Sequence, residues 1–466
     1  MARISLMSLP DIAYNGSAGF NRKICAAVGT LFIVCLPSCA FTKPLDLSEA
    51  YNHAVTYDAQ IHSAEADLTI SKEEVSKAYA AFLPNIRAST SRGRNRTESF
   101  TPYRPEGDRI YYNTLSHSVS LRQPLLNMEN IAAYKQAKAI EAKSESLFHG
   151  ENSGLMVRTA ESFFNVLYAE DNVKFTNAQV EATNEQLLQA RRRNQTGFGT
   201  ITEINEAQAS LDMALAEKAS SITGLEYSRR ELERITGVYP DSLCRIVTEK
   251  IPLSGIEPRD VNAWIKLAET NNPKVGAARQ DIQIARREVE KTRAMKIPSV
   301  DLVAGRSYSV SENNYTIGST YDTWSINVQV NVPIYTGGYS SAQVRQAVAK
   351  RMKANDQYNW QERAIVSDVR KYYDGVLNGI VQIKAYEQAV KANEIVLVGT
   401  RKGFLVGMRS NVDVLNAQQK LFESRRNLAK SRYQYILNML MLKDVAGTLA
   451  VEDIQEVNSW LDIANR

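Results

Sequence analysis

Along the chain the hydrophobic pattern changes period in a fixed order, and that order occurs twice. Residues 46–82, rich in Ala, Glu and Lys, predict a helix that Pro84 ends, because proline disfavours the α conformation in the residue before it. Extended stretches follow near 86–96 and 113–125, and again near 300–310 and 322–334. The last is the clearest: Trp324, Ile326, Val328, Val330, Val332 and Ile334 alternate with Thr323, Ser325, Asn327, Gln329 and Asn331. One face of that strand is apolar and the other polar. In a soluble sheet the apolar side meets a core; in an outer-membrane barrel it meets lipid while the polar side lines water. Periodicity alone does not choose between them.

After Pro124 and after Pro333 the helical pattern returns, without proline from Glu129 to Thr196 and from Gln343 to Leu405. At 1.5 Å per residue each rod is roughly 100 Å long, far beyond the usual three or four turns, and such rods need partners. Gly197-Phe198-Gly199-Thr200 then leads into a shorter helix whose apolar positions Ile204, Ala207, Leu211, Leu215, Ile222, Leu225, Leu232 and Ile235 approach a coiled-coil seam. Val414, Ala417, Leu421, Leu428 and Tyr435 repeat it. The helix that opens each half and the one that closes it together match one rod, so stacked end to end they can pair along its length.

The duplication is visible in the residues themselves. Asp46–Pro84 aligns without gaps on Asp260–Pro298, with Asp46/Asp260, Ala54/Ala268, Asp67/Asp281, Glu74/Glu288, Val75/Val289 and Pro84/Pro298 among eleven identities in 39 positions, too many for chance over an ungapped span. A second ungapped block pairs Gln136/Gln346, Val166/Val376, Leu167/Leu377, Gly197/Gly407, Ala207/Ala417 and Leu211/Leu421. The predicted organisation is a signal segment over 1–40, a first repeat over 41–240, a linker over 241–259, a second repeat over 260–450 and a tail over 451–466.

Arg3, Arg22 and Lys23 precede an apolar run from Ile24 to Leu36 and then Ser38-Cys39-Ala40, which is the pattern of a secretory signal peptide cut after Ala40. Leu36-Pro37-Ser38-Cys39 leaves open a lipoprotein site with Cys39 lipidated. Cys25 and Cys35 also lie in this segment, so beyond it only Cys244 remains and no internal disulfide framework is available. No later run of 18 apolar residues predicts a transmembrane helix.

Of 466 residues 44% are apolar, which excludes wholesale disorder. The 56 basic and 51 acidic residues are mixed, without the basic block of a dedicated nucleic-acid binder, so no nucleic-acid partner is expected. Walker loop, nucleophile elbow, paired cysteines and zinc-type histidine pair are all missing from the sequence, and His53, His62, His117 and His149 are scattered. The chain is therefore read as a non-enzyme with no cofactor. Tyr103, Tyr111, Tyr112, Tyr315 and Tyr321 are expected in the loops between paired strands, as girdle residues, loop contacts or ordinary loop tyrosines.

Two architectures fit these patterns. One is a soluble periplasmic coiled-coil structural or adaptor protein with small β elements. The other is a membrane duct, in which four strands per chain are too few to close a barrel, since single-chain bacterial barrels start at about eight and an open edge in lipid leaves backbone groups unpaired. Closure then needs several chains.

The duplicated helix–strand–strand–helix order, with Phe82-Leu83-Pro84, Gln123-Pro124-Leu125-Leu126, Val332-Pro333-Ile334-Tyr335-Thr336-Gly337-Gly338 and Val406-Gly407 through Asp413-Val414-Leu415, resembles the TolC family of outer-membrane efflux and type I secretion proteins over essentially the whole mature chain. The resemblance implies a mainly α fold with membrane β: a homotrimer giving four strands per protomer to a 12-stranded barrel in outer-membrane lipid, continued by a long helical periplasmic tunnel. It implies a passive duct of the Gram-negative outer membrane, served by a periplasmic adaptor (membrane fusion) protein and by an inner-membrane ABC or proton-driven transporter. It also implies a gate at the periplasmic end. Arg409 matches the family's gate arginine and Glu203 its acidic partner, while Phe404 stands where the family can carry a hydrogen-bonding tyrosine. Asp413 matches one acidic ring position around the axis and Asn416 stands at the second, which halves the expected ring charge.

Overall fold

The computed structural model describes residues 44–312 and 318–462. The proposed signal peptide, its alternative Cys39 site, and Tyr315 lie outside the described residues.

The opening helix is broken where one continuous rod was expected. α1 (Leu47–Tyr57) and α2 (Ala59–Ala80) meet at Asp58, whose carboxylate accepts from the backbone N–H groups of Gln60 and Ile61 at 2.9 and 3.0 Å. An aspartate that satisfies the first free N–H groups of one helix takes up extended backbone itself, which ends the helix before it. The second half repeats the device at the aligned position: α5 (Val261–Asn271) and α6 (Pro273–Ala294) meet at Asn272, which accepts from Lys274 and Val275, with Pro273 at the first helical position.

Between these helices run β1 (Asn85–Thr101), β2 (Arg104–Leu126), β3 (Ser299–Ser311) and β4 (Ser319–Asn331), joined in one antiparallel sheet in the order β1-β2-β3-β4. The first pair outruns the expected strands, so its distal half stands beyond β3 as a two-stranded ribbon. Tyr111 and Tyr112 consequently lie within β2 and Tyr321 within β4, not in loops; only Tyr103 sits at a turn.

Register separates the faces. Leu121 stands opposite Ile86 and Ala304, Val119 opposite Ala88 and Arg306, and the same face continues through Trp324, Ile326, Val328 and Val330 of β4. The opposite face carries Ser89, Ser118, Ser120, Ser307, Asn327 and Gln329. No part of the described chain covers the apolar side: Trp324 and Ile326 are each 74% exposed. Both β1 and β4 are open edges.

The rods are α3 (Met128–Gln195, 68 residues) and α7 (Tyr339–Leu405, 67 residues), each turning back into a shorter helix, α4 (Ile201–Thr236) and α8 (Asn411–Val445). α7 starts at Tyr339, a turn earlier than the proline-free stretch counted from Gln343. α3 packs along α2, α4, α6 and α8, and α7 along α5, α6 and α8. The main core lies partway along the rods. There Leu155, Phe163, Phe164 and Leu167 of α3 join Val369 and Val376 of α7 and Tyr435, Ile436 and Leu440 of α8. A belt closes over it: Leu45 bridges Leu243, Ile246 bridges Leu461, and α9 (Val451–Ser459) inserts Ile454 and Val457. Asn458 of α9 accepts from the backbone N–H groups of Leu47 and Ser48, capping α1 from across the chain. Toward the far ends of the rods the apolar core thins to two small clusters, Leu187, Ala190 and Ala207 in one hairpin and Leu397, Phe404, Val414, Ala417 and Leu421 in the other. A long helical pair held by few buried side chains at its tip is the part that opens most easily.

Candidate functional site: the tips of the helical hairpins

The two hairpin turns are built alike. Gly197 and Gly407 both adopt positive φ, 80° and 76°, the left-handed conformation that only glycine enters without steric cost. Thr200 then caps α4 by accepting from Glu203 N–H at 3.2 Å. Ser410 caps α8 more completely: its Oγ accepts from Asp413 N–H at 3.1 Å while the Asp413 carboxylate accepts from Ser410 N–H at 2.9 Å, a reciprocal capping box. These hydrogen bonds to Ser410, backbone and side chain, with Arg409 nearby, hold the Asp413 carboxyl below the usual aspartate range. Asn416 lies one turn further along α8, exposed, so positions 413 and 416 share one helix face.

Arg409 and Glu203 form no ion pair with each other within the chain. Arg409 is exposed, and its stem lies against Gly403, where a Cβ would come within 2.9 Å of Arg409 Cγ. Glu203 is half-buried, and its Oε2 is shielded from solvent with no hydrogen-bond partner. A buried carboxylate oxygen without a donor is costly.

What holds the two tips together inside one chain is a set of residues that sequence reasoning missed. The Arg193 guanidinium at the end of α3 lies 4.5 Å from the centre of the Phe404 ring at the end of α7. Phe404, expected as a position where a hydroxyl was lost, is 4% exposed and serves as a cation–π platform. Next to it, buried Gln186 of α3 donates to the side chain of Asn411, the first residue of α8, and Asn411 in turn donates to the Glu203 carbonyl at 3.5 Å. Gln186 and Asn411 are 5% and 1% exposed, so this polar link sits in the packed interface between hairpins. The only trace of it in the sequence is a polar residue interrupting an apolar seam.

Further from the tip the hairpins are tied by ion pairs across the helices, including Arg426–Glu217 at 2.6 Å between α8 and α4 and Arg432–Glu387 at 2.9 Å between α8 and α7. Among the described residues no group of metal-ligating side chains is assembled and no helix is long and apolar enough to cross a membrane. The uncovered face of the sheet, where Trp324, Ile326, Val328 and Val330 are exposed, has the chemistry of a bilayer contact.

The chain is similar to known proteins over nearly its whole length. It is 31% identical to the outer membrane protein TolC of Vibrio cholerae over 90% of this chain and 95% of that one, and 31% identical to the alkaline protease secretion protein AprF of Pseudomonas aeruginosa over 91% and 89%. Its fold matches the Campylobacter jejuni CmeC outer membrane channel with a TM-score of 0.74 at 16% identity, covering 90% of each chain. The profile of the family described as outer membrane efflux protein matches residues 50–238 and 264–448, which are the two halves of the internal duplication. The chain belongs to the outer membrane efflux protein family, with TolC as a relative, and its fold is that of the family's channels.

Proposed function

We propose that three copies of this chain form a passive exit duct in the outer membrane of a Gram-negative bacterium, carrying cargo from an inner-membrane transporter to the exterior. The observation that carries this is the sheet: an exposed apolar face, a hydroxyl-rich opposite face and two unpaired edges. Lipid on the first, water on the second and a neighbour's strand on each edge satisfy all three at once. A soluble coiled-coil protein leaves that apolar face in water. Residues 1–40 would be removed on export, 41–240 and 260–450 would be the two structural repeats, and 241–259 with the tail 451–466 would belt the tunnel.

The duct has no energy source in this reading, so an ABC exporter or a proton-driven pump supplies it through a periplasmic adaptor. The relatives' names include protease secretion proteins and an outer membrane efflux protein, which supports secreted proteins and effluxed compounds alike as cargo classes. At the tip, the donorless Glu203 oxygen and the exposed Arg409 fit a latch made between neighbouring chains, with Asp413 and Asn416 facing the axis. Partly exposed ion pairs contribute about 0–1 kcal/mol each, so three of them bias the closed state and still yield to a partner.

Fractionation tests the duct: it requires recovery in the outer membrane as a detergent-stable trimer, and a monomer free in the periplasm would refute it. Deleting the gene and comparing secreted proteins with drug sensitivity separates the cargo classes. Replacing Arg409 or Glu203 with Ala should raise the conductance of the purified trimer in a planar bilayer; unchanged conductance in both removes the latch.

A further inference from the structure

Within the four-stranded part of the sheet the polar face carries three charged side chains, Arg87, Arg122 and Asp301, among mostly serine, threonine, asparagine, glutamine and glycine, with Pro124, Val303 and Tyr321. They lie together at the end of the sheet nearest the helices, around a polar concavity of roughly 640 Å³ that also takes in Asn127 and Gln329. Arg122 is spoken for: its Nη2 donates to Asp301 Oδ2 at 2.6 Å, and Asp301 is buried. Arg87 is exposed, and its guanidinium makes no ion pair or hydrogen bond with any described residue.

We infer that Arg87 from three chains forms a guanidinium collar at the periplasmic mouth of the barrel, which attracts oxyanions, carboxylate or phosphate, and gives the duct a preference for acidic cargo groups. The inference rests on the trimeric barrel proposed above. Closing that barrel sets β1 of one chain against β4 of the next, and the polar face of β4 offers Asn331, Gln329, Asn327, Ser325 and Thr323, with no carboxylate. Assembly therefore does not neutralise Arg87, and each chain leaves one net positive charge at the mouth. Asp108, on the same face, stands opposite Ser99 on the ribbon at the far end of the hairpin. Guanidinium is suited to the task because its fixed fork of donors matches two oxygens of one oxyanion. The acid at the opposite end of the duct, Asp413, already spends a carboxylate oxygen on the Ser410 N–H.

The field of such a collar reaches about 10 Å at 0.1 M salt and about 3 Å at 1 M, which sets the conditions of the test. Purified native trimer in a planar bilayer at 0.1 M KCl is exposed from the barrel side to inorganic tripolyphosphate, with citrate in a parallel run to separate phosphate from carboxylate. We expect concentration-dependent block that fades at 1 M KCl, weakens at least tenfold in Arg87→Ser and strengthens in Asp301→Asn, where Arg122 is released. The reversal potential in a KCl gradient should move toward cations in Arg87→Ser. A conducting Arg87→Ser trimer with native block and native reversal potential overturns the collar. Native protein that never conducts overturns the duct itself, a separate failure.

Discussion

Arg193 and Phe404 meet between the two hairpins, the guanidinium 4.5 Å above the centre of the ring, so the last turn of one long rod holds the last turn of the other by a charge on a π surface. Such a contact contributes about 0.5–2 kcal/mol depending on how dry it is. Arg193→Ala or Phe404→Leu should therefore shift the balance between closed and open tips several-fold per chain, and Phe404→Trp should preserve it. Single-channel opening frequency in planar bilayers reads this directly; identical frequencies in all three variants would show that the contact does not restrain the tip.

The Asp413 capping box predicts a pH response with a definite sign. Because the carboxyl is held below its ordinary range in the folded chain, its contribution is complete above the unfolded aspartate value of about 3.9 and disappears only as pH falls through the lower folded value. Amide exchange in the first turn of α8, corrected for intrinsic rates, should be unchanged from pH 7 to 5 and should loosen below about pH 4. In Asp413→Asn it should be loose throughout.

Asp58 and Asn272 carry the same load in the two halves. Replacing either by alanine removes a side chain that accepts from two backbone N–H groups, at a cost of about 1–2 kcal/mol. Asn272 also donates to the Val445 carbonyl at 2.8 Å, so Asn272→Asp should be destabilising although aspartate caps helices well. Thermal denaturation of the extracted protein, with hydrogen exchange over α2 and α6, distinguishes the local effects.

The two faces of β4 should differ sharply in what they tolerate. Val328→Arg places a charge on the uncovered apolar face and should cost about 2–4 kcal/mol near the middle of a bilayer, whereas Asn327→Arg on the polar face should be nearly neutral. Urea titration of folding into lipid vesicles measures both, and equal effects would mean that the apolar face does not meet lipid.

Tyr433 is half-buried and donates its hydroxyl to Asp171 Oδ2 at 2.8 Å; loss of solvent first, then the Asp171 charge, pushes its phenol well above the ordinary tyrosine value. A raised value in the folded state means that stability from this group is full below about pH 10 and is lost as pH rises beyond. Spectrophotometric titration should find this tyrosine un-ionised until the chain unfolds; burial raises Tyr51 and Tyr435 as well, so Tyr433→Phe should lower the amplitude of the late step by one tyrosine and leave the rest.

Much of the architecture was written in one dimension. The two rods, the four strands and the duplication follow from periodicity and self-similarity, because a helix of 3.6 residues per turn and a strand of two must repeat their apolar positions at those intervals to bury or expose one face. The helix break at Asp58 was legible only in part: Pro273 marks it in the second half, while in the first a lone aspartate in a helix-rich stretch looks like any surface acid. The residues that matter at the tip divide in the same way. Arg409, Glu203, Phe404, Asp413 and Asn416 could be named from motifs, yet which of them touch, and through whom, depends on how two hairpins far apart in the chain lie side by side. Arg193, Gln186 and Asn411 carry no motif, and only tertiary packing brings them to Phe404 and Glu203. Alternation on β4 likewise declared one face apolar, but only the assembled sheet decided that no described residue covers it. Local pattern dictates what each segment is; contact between distant segments, which no local pattern encodes, dictates what the segments do together.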